Sequence, residues 1–146
     1  MAVTRLQEHL FRYGGHIGAA LIIGGYDIKG PRLVSISPGG NTMDLPYQTV
    51  GSGSLAAMSI METQYHDKLT EEEAFKLVVD SIEAGIYHDL GSGSNVDVCI
   101  IKKDGCKMYR NFKRYLPSLT NNITATTIKC SLTREAITSR AALLRC

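Results

Sequence analysis

TVGSGSLAAM, residues 49–58, and its echo HDLGSGSNVDVCII, residues 88–101, decide how this chain is read. Both hold the tetrapeptide Gly-Ser-Gly-Ser, at 51–54 and 91–94. The first copy joins a strand-like stretch to a helix-like one. The second follows a helix-like stretch and opens a strand. A flexible linker would lie between domains, but both copies sit inside dense apolar patterning. They read as tight loops that place serine hydroxyls and backbone N–H groups at defined points.

The pattern extends outward from these loops. Ser54 to about His66 has helical spacing, with Leu55, Met58, Ile60 and Met61 as its apolar stripe. Thr70-Glu71-Glu72-Glu73 is a capping box, and its acids suit the positive end of a helix. Phe75, Val78, Val79 and Ile82 continue at helical spacing, with Gly85 as the expected stop. Val96 to Lys102 reads as a strand, Asp104-Gly105 as a hairpin turn, and Cys106 to Phe112 as the return strand. Ile123 to Leu132, rich in Thr and Ile, reads as one more strand.

Upstream, Met43 to Val50 reads as a strand that Pro46 makes an edge or an irregularity. Arg32 to Ser37 and Ile17 to Gly25 form a hairpin across the turn Asp27-Ile28-Lys29-Gly30-Pro31. Val3, Leu6, Leu10 and Phe11 mark a helix over 3–13 that Gly14-Gly15 ends. Grouped helices and short strand connections predict an α+β fold, with helices packed on antiparallel sheet.

At 146 residues the chain fits one domain with a real core. No apolar run approaches the ~20 residues of a membrane span, and MAVTRLQEHL lacks the apolar stretch of a signal peptide. No membrane role is expected, and the reading is cytoplasmic or nuclear. Cys99, Cys106, Cys130 and Cys146 form no CxxC pair and have no histidine at ligand spacing, so they read as free thiols. Gly24-Gly25 and Gly39-Gly40 lack phosphate-loop spacing, and Glu71 to Glu73 read as a helix start. No metal or cofactor is expected. His9, His16, His66 and His88 read as structural or partly exposed side chains.

Charge is unevenly spread. Residues 1–100 hold 6 basic and 12 acidic side chains, and residues 101–146 hold 10 basic and 2 acidic. The basic end suits a docking tail for an acidic protein neighbour. A nucleic-acid surface over 102–114, with Tyr109 and Phe112, is the weaker reading, because no recognisable binding module accompanies it. By local sequence alone, Ser52, Ser54, Ser92 and Ser94 are loop caps and Asp89 is a helix-end or surface acid.

HLFRYGGHIGAALIIGG (9–25), EEEAFKLVVDSIEAGI (71–86) and the two quoted stretches resemble proteasome core beta subunits, most closely the beta-2 or trypsin-like class. The resemblance runs from about Leu6 to Phe112. It implies a four-layer αββα sandwich of antiparallel sheets, of the N-terminal-nucleophile hydrolase kind and incomplete here. It implies a single partial domain over 1–146 with a divergent basic tail over 113–146.

The activity it implies is that of a threonine-type endopeptidase degrading proteins with cleavage after basic residues. An N-terminal threonine attacks the carbonyl, and its own amine serves as base. Ser52, Asp89 and Ser92 take accessory roles around that threonine. The threonine itself, and the aspartate and lysine that tune it, are absent from these 146 residues, so no peptidase activity is expected of the chain alone. The implied partners are other proteasome alpha and beta subunits in stacked hetero-oligomeric rings, and unfolded protein substrates. No nucleic acid is implied. The alternative is a non-catalytic assembly or interaction module on the same half-fold. Absent strands would leave open sheet edges, with Leu21-Ile22-Ile23 as an uncovered apolar face.

Overall fold

Thr70 starts the longest helix by the reciprocal bonding its sequence predicts. Its hydroxyl accepts the Glu73 N–H at 3.3 Å, and the Glu73 carboxylate accepts the Thr70 N–H at 2.8 Å. In the computed structural model, which describes residues 1–115 and 131–132, this helix runs Glu71–His88. It is the third of three: α1 is Ala2–Arg12, α2 is Ser54–Gln64 and α3 is Glu71–His88. The strands are β1 Leu21–Asp27, β2 Gly30–Ile36, β3 Thr42–Asp44, β4 Ser94–Lys102, β5 Gly105–Tyr115 and β6 Ser131–Leu132. Most of the tail over 113–146, and the strand read over 123–132 apart from its last two residues, lie outside the described residues.

The strands form two three-stranded sheets, ordered β1-β2-β3 and β5-β4-β6. The first is antiparallel throughout, with Leu21 opposite Ile36 and Val34 opposite Asp44. The second is mixed. β4 and β5 form the expected hairpin around Asp104-Gly105, but β6 runs parallel to β4, pairing Ser131 with Cys99. β6 therefore runs opposite to β5 and lies on the far side of β4 from it.

The layers follow from which elements touch. α1 lies on β2, β1 meets β4, and α3 lies on β4 with α2 packed beside it. This is helix, sheet, sheet, helix, an α+β arrangement. One core cluster joins Leu33 of β2, Ala57 and Met61 of α2, Leu77, Val78 and Ile82 of α3, and Val96, Val98 and Ile100 of β4. Cys99 is buried and Cys106 is an exposed free thiol.

Several features differ from the sequence reading. α3 passes through Gly85, which is buried inside the helix, and ends three residues later. A helical glycine costs about 1 kcal/mol, and burial of the surrounding apolar residues outweighs that. The stripe of α2 faces inward through Ala57 and Met61, whereas Leu55 is 85% exposed. The helix is apolar or small on most sides, so spacing could not choose its inner face. β1 starts at Leu21 because Gly15 and Gly18, both at positive φ, keep the preceding residues in turns.

β3 has only three residues, not the eight of 43–50. Pro46 offers no N–H to a ladder, and the Gln48 side chain bonds the strands instead. Its Nε2 donates to the carbonyls of Leu33 at 3.2 Å and Met43 at 3.1 Å.

A β-bulge interrupts the β4–β5 pairing between Val96 and Val98. Asp97 holds it. This carboxylate is 2% exposed and accepts the Asn111 N–H at 2.7 Å, Arg110 Nη1 at 3.3 Å and Asn95 Nδ2 at 3.3 Å. Asn111 has φ of 50°, a conformation asparagine tolerates better than most residues. The run Leu21-Ile22-Ile23 is half-buried, and β1 is the outer strand of its sheet among the described residues.

Candidate functional site

The two Gly-Ser-Gly-Ser loops meet. The first, ahead of α2, turns at Gly51 with φ of 118° and closes through Ser54 N–H to the Gly51 carbonyl at 3.2 Å. That φ favours glycine, and it leaves Ser52 on the exposed rim. The second leaves α3 at Asp89, whose backbone is already extended while its N–H still donates to the Gly85 carbonyl at 3.0 Å. Ser92 N–H returns to the Asp89 carbonyl at 3.1 Å. Gly91 N–H donates to Asp89 Oδ1 at 3.3 Å, which folds the loop back onto its own acid.

Asp89 Oδ2 is the meeting point. It accepts Ser52 Oγ at 2.6 Å across 37 residues of chain and Ser92 Oγ at 2.5 Å within its own loop. The Ser52 hydroxyl, then the Ser92 hydroxyl and the Gly91 N–H, hold the Asp89 carboxyl below its ordinary range. Each of these donors favours the anion. Space is tight here: a Cβ on Gly91 would lie 3.3 Å from Ser52 Oγ.

The chemistry of the set follows from where its hydrogens go. Both serine hydrogens point at one carboxylate oxygen, so the serine oxygens turn lone pairs outward. Together with the carboxylate they form a cluster of acceptors bearing one negative charge. Such a cluster suits a protonated amine or another multiple donor. It is a poor activator of Ser52 or Ser92, because a carboxylate with a lowered pKa is a weak proton acceptor.

The structure therefore brings together Ser52, Asp89 and Ser92, the three residues singled out by sequence. The other serines of the repeat stay apart from Asp89. The Ser54 carbonyl accepts the Thr49 hydroxyl at 3.0 Å, and Ser94 opens β4 with φ of 78°. The Gly91 N–H was missed as a member of the set, although an acid two residues ahead of a glycine is its signal. His9 lies against Tyr13 in a tilted contact, 5.0 Å between ring centroids. Among the described residues, no group of three or more His, Cys, Asp or Glu is placed to hold a metal ion. None of the described helices is long and apolar enough to cross a membrane.

Residues 1–101 match the family model described as "Proteasome subunit". Proteasome subunit beta type-7-A of Arabidopsis thaliana is 55% identical over 111 residues, covering 76% of this chain and 41% of that protein. Proteasome subunit beta type-7 of Dictyostelium discoideum is 54% identical over 112 residues, covering 77% and 42%. Proteasome subunit beta type-2 of Saccharomyces cerevisiae is 54% identical over 101 residues, covering 69% and 39%. The chain spans about two-fifths of the length of these curated relatives.

Proposed function

This chain belongs to the proteasome subunit family, among its beta subunits of the beta-2 kind, and from that premise we propose that it serves in a threonine-type endopeptidase cleaving proteins after basic residues. Ser52, Asp89 and Ser92 are its accessory site residues. The observation that supports this is the single oxygen, Asp89 Oδ2, on which two serines from separate loops converge.

The nucleophile in this reading is a threonine supplied from outside the three residues. Its hydroxyl attacks the peptide carbonyl while its own α-amine takes the proton. The ammonium so formed needs acceptors, and Ser52 Oγ, Ser92 Oγ and the Asp89 carboxylate supply them with a fixed charge. The same ammonium then returns its proton to the leaving amine, and water hydrolyses the resulting ester. The set stabilises the charged base rather than touching the carbonyl, which is electrostatic stabilisation of a charge that develops during reaction. The partners in this reading are alpha and beta subunits in a ring, and the substrates are unfolded proteins. The chain acts as one domain, with the tail over 113–146 serving contacts of its own, in cytoplasm and nucleus.

The test uses the assembled particle carrying this chain. Asp89→Asn is expected to lower hydrolysis of an arginyl peptide about a hundredfold, because support of the base is lost. Incorporation should be unchanged by mass. Undiminished hydrolysis would overturn the proposal.

A second reading is a non-catalytic assembly module. Leu55 at 85% exposure and Leu90, fully exposed, flank the serine set, as an uncovered contact surface would. Undiminished arginyl hydrolysis in the Asp89→Asn particle, together with loss of incorporation on Leu55→Ser, would favour it.

A further inference from the structure

Pro46 cannot extend β3, and that strand stops at Asp44. The backbone must still deliver Ser52 to a carboxylate 37 residues away in sequence. Two side chains bracket the approach. Gln48, 3% exposed, spends both amide hydrogens on the carbonyls of Leu33 and Met43, and so grips two strands of the sheet. Thr49 Oγ1 donates to the Ser54 carbonyl at 3.0 Å, tying the entry of the first serine loop to its exit on α2. Inside that tie, Ser54 N–H meets the Gly51 carbonyl at 3.2 Å. Only residues 50–53 lie between the anchors, and Ser52 is their one hydroxyl.

We propose that Gln48 and Thr49 are positioning residues for Ser52, holding its loop so that Ser52 Oγ meets Asp89 Oδ2. This rests on the reading of Ser52, Asp89 and Ser92 as the set that holds the catalytic amine. Ser52 is exposed, and one exposed hydrogen bond does not fix a glycine-flanked loop against its own entropy. The mount does so from the rigid side, through a buried amide on the sheet and a hydroxyl on the helix. Neither residue touches substrate. Both act through Ser52.

The experiment compares assembled particles carrying Thr49→Val, Thr49→Ser, Gln48→Met and Asp89→Asn. Valine keeps the branched shape of threonine and removes only its hydroxyl, and methionine keeps the length of glutamine without its amide. Thr49→Val and Gln48→Met are each expected to lower kcat for an arginyl peptide about tenfold with KM unchanged. The acid limb of the kcat profile should move to higher pH, since Asp89 loses a donor that favours its anion. Thr49→Ser should restore both. Unchanged kcat and pH profile in Thr49→Val and Gln48→Met, where Asp89→Asn is inactive, would overturn the positioning role and leave the site reading intact. Undiminished hydrolysis in Asp89→Asn would overturn the site reading, and this proposal with it. If neither Thr49→Val nor Gln48→Met enters particles that accept Thr49→Ser, the pair is a folding requirement, and the proposal also fails.

Discussion

Ser52 reaches Asp89 as a donor, and that direction fixes what each residue does. The acid is held as an anion by two hydroxyls and one backbone N–H, with Ser52 the strongest influence. Ser52→Ala is expected to raise the titration midpoint of Asp89, and by more than Ser92→Ala, as read from the carboxyl carbon signal in NMR. A midpoint indifferent to both serines would contradict the geometry. The sign is that of a depressed carboxyl: its contacts contribute above the unfolded pKa and are lost as pH falls through the lower, folded one. Gly40 offers a second test. It sits at φ of 85°, and a Cβ there would lie 2.8 Å from Phe11 Cβ and 2.9 Å from Phe11 N. Gly40→Ala should destabilise the chain by about 1–3 kcal/mol, seen as a lower melting temperature.

Ser52, Asp89 and Ser92 were legible in sequence because a repeated tetrapeptide marks both loops and the stretches around it resemble a known family. Gln48 was not legible. A lone polar residue at the end of an apolar run looks solvent-facing until the missing ladder at Pro46 gives its amide something to do.

At the scale of elements, capping chemistry and turns were the easiest parts to read. The Thr70–Glu73 box and the Asp104-Gly105 turn each depend on contacts within four residues, so local sequence contains the whole cause. The end of α3, the inner face of α2 and the length of β3 depend on neighbours distant in sequence. The bulge in β5 is of that second kind, since it is held by Asp97 from β4. Asp97→Ala would leave the Asn111 N–H without its acceptor and free Arg110. The expected loss is on the order of 1–3 kcal/mol, measured by denaturant unfolding. A smaller loss would mean that water replaces the carboxylate at the bulge.

At the scale of the whole molecule, sheet order governs behaviour. β1 and β5 both present outer edges among the described residues, and Phe11, Leu55 and Leu90 are exposed. Open edges and uncovered apolar groups favour association. The isolated chain is expected to associate in sedimentation at micromolar concentration. A cooperative melt from a soluble monomer would contradict this. The layered α+β arrangement was legible because helices and strands come in blocks. The parallel pairing of β6 was not, because a two-residue contact across a long excursion leaves no periodic trace.

The clasp between Ser52 and Asp89 has a consequence beyond the site. It joins the start of α2 to the end of α3, so the two packed helices run in opposite directions. Asp89 follows the carbonyl end of α3, whose partial negative charge disfavours a carboxylate, while the N–H end of α2 lies beside it with the opposite partial charge. Two opposed dipoles side by side nearly cancel beyond a few ångströms. The opposed helix ends therefore add little net field at this acid, and the hydroxyls that touch it are the main cause of its lowered pKa.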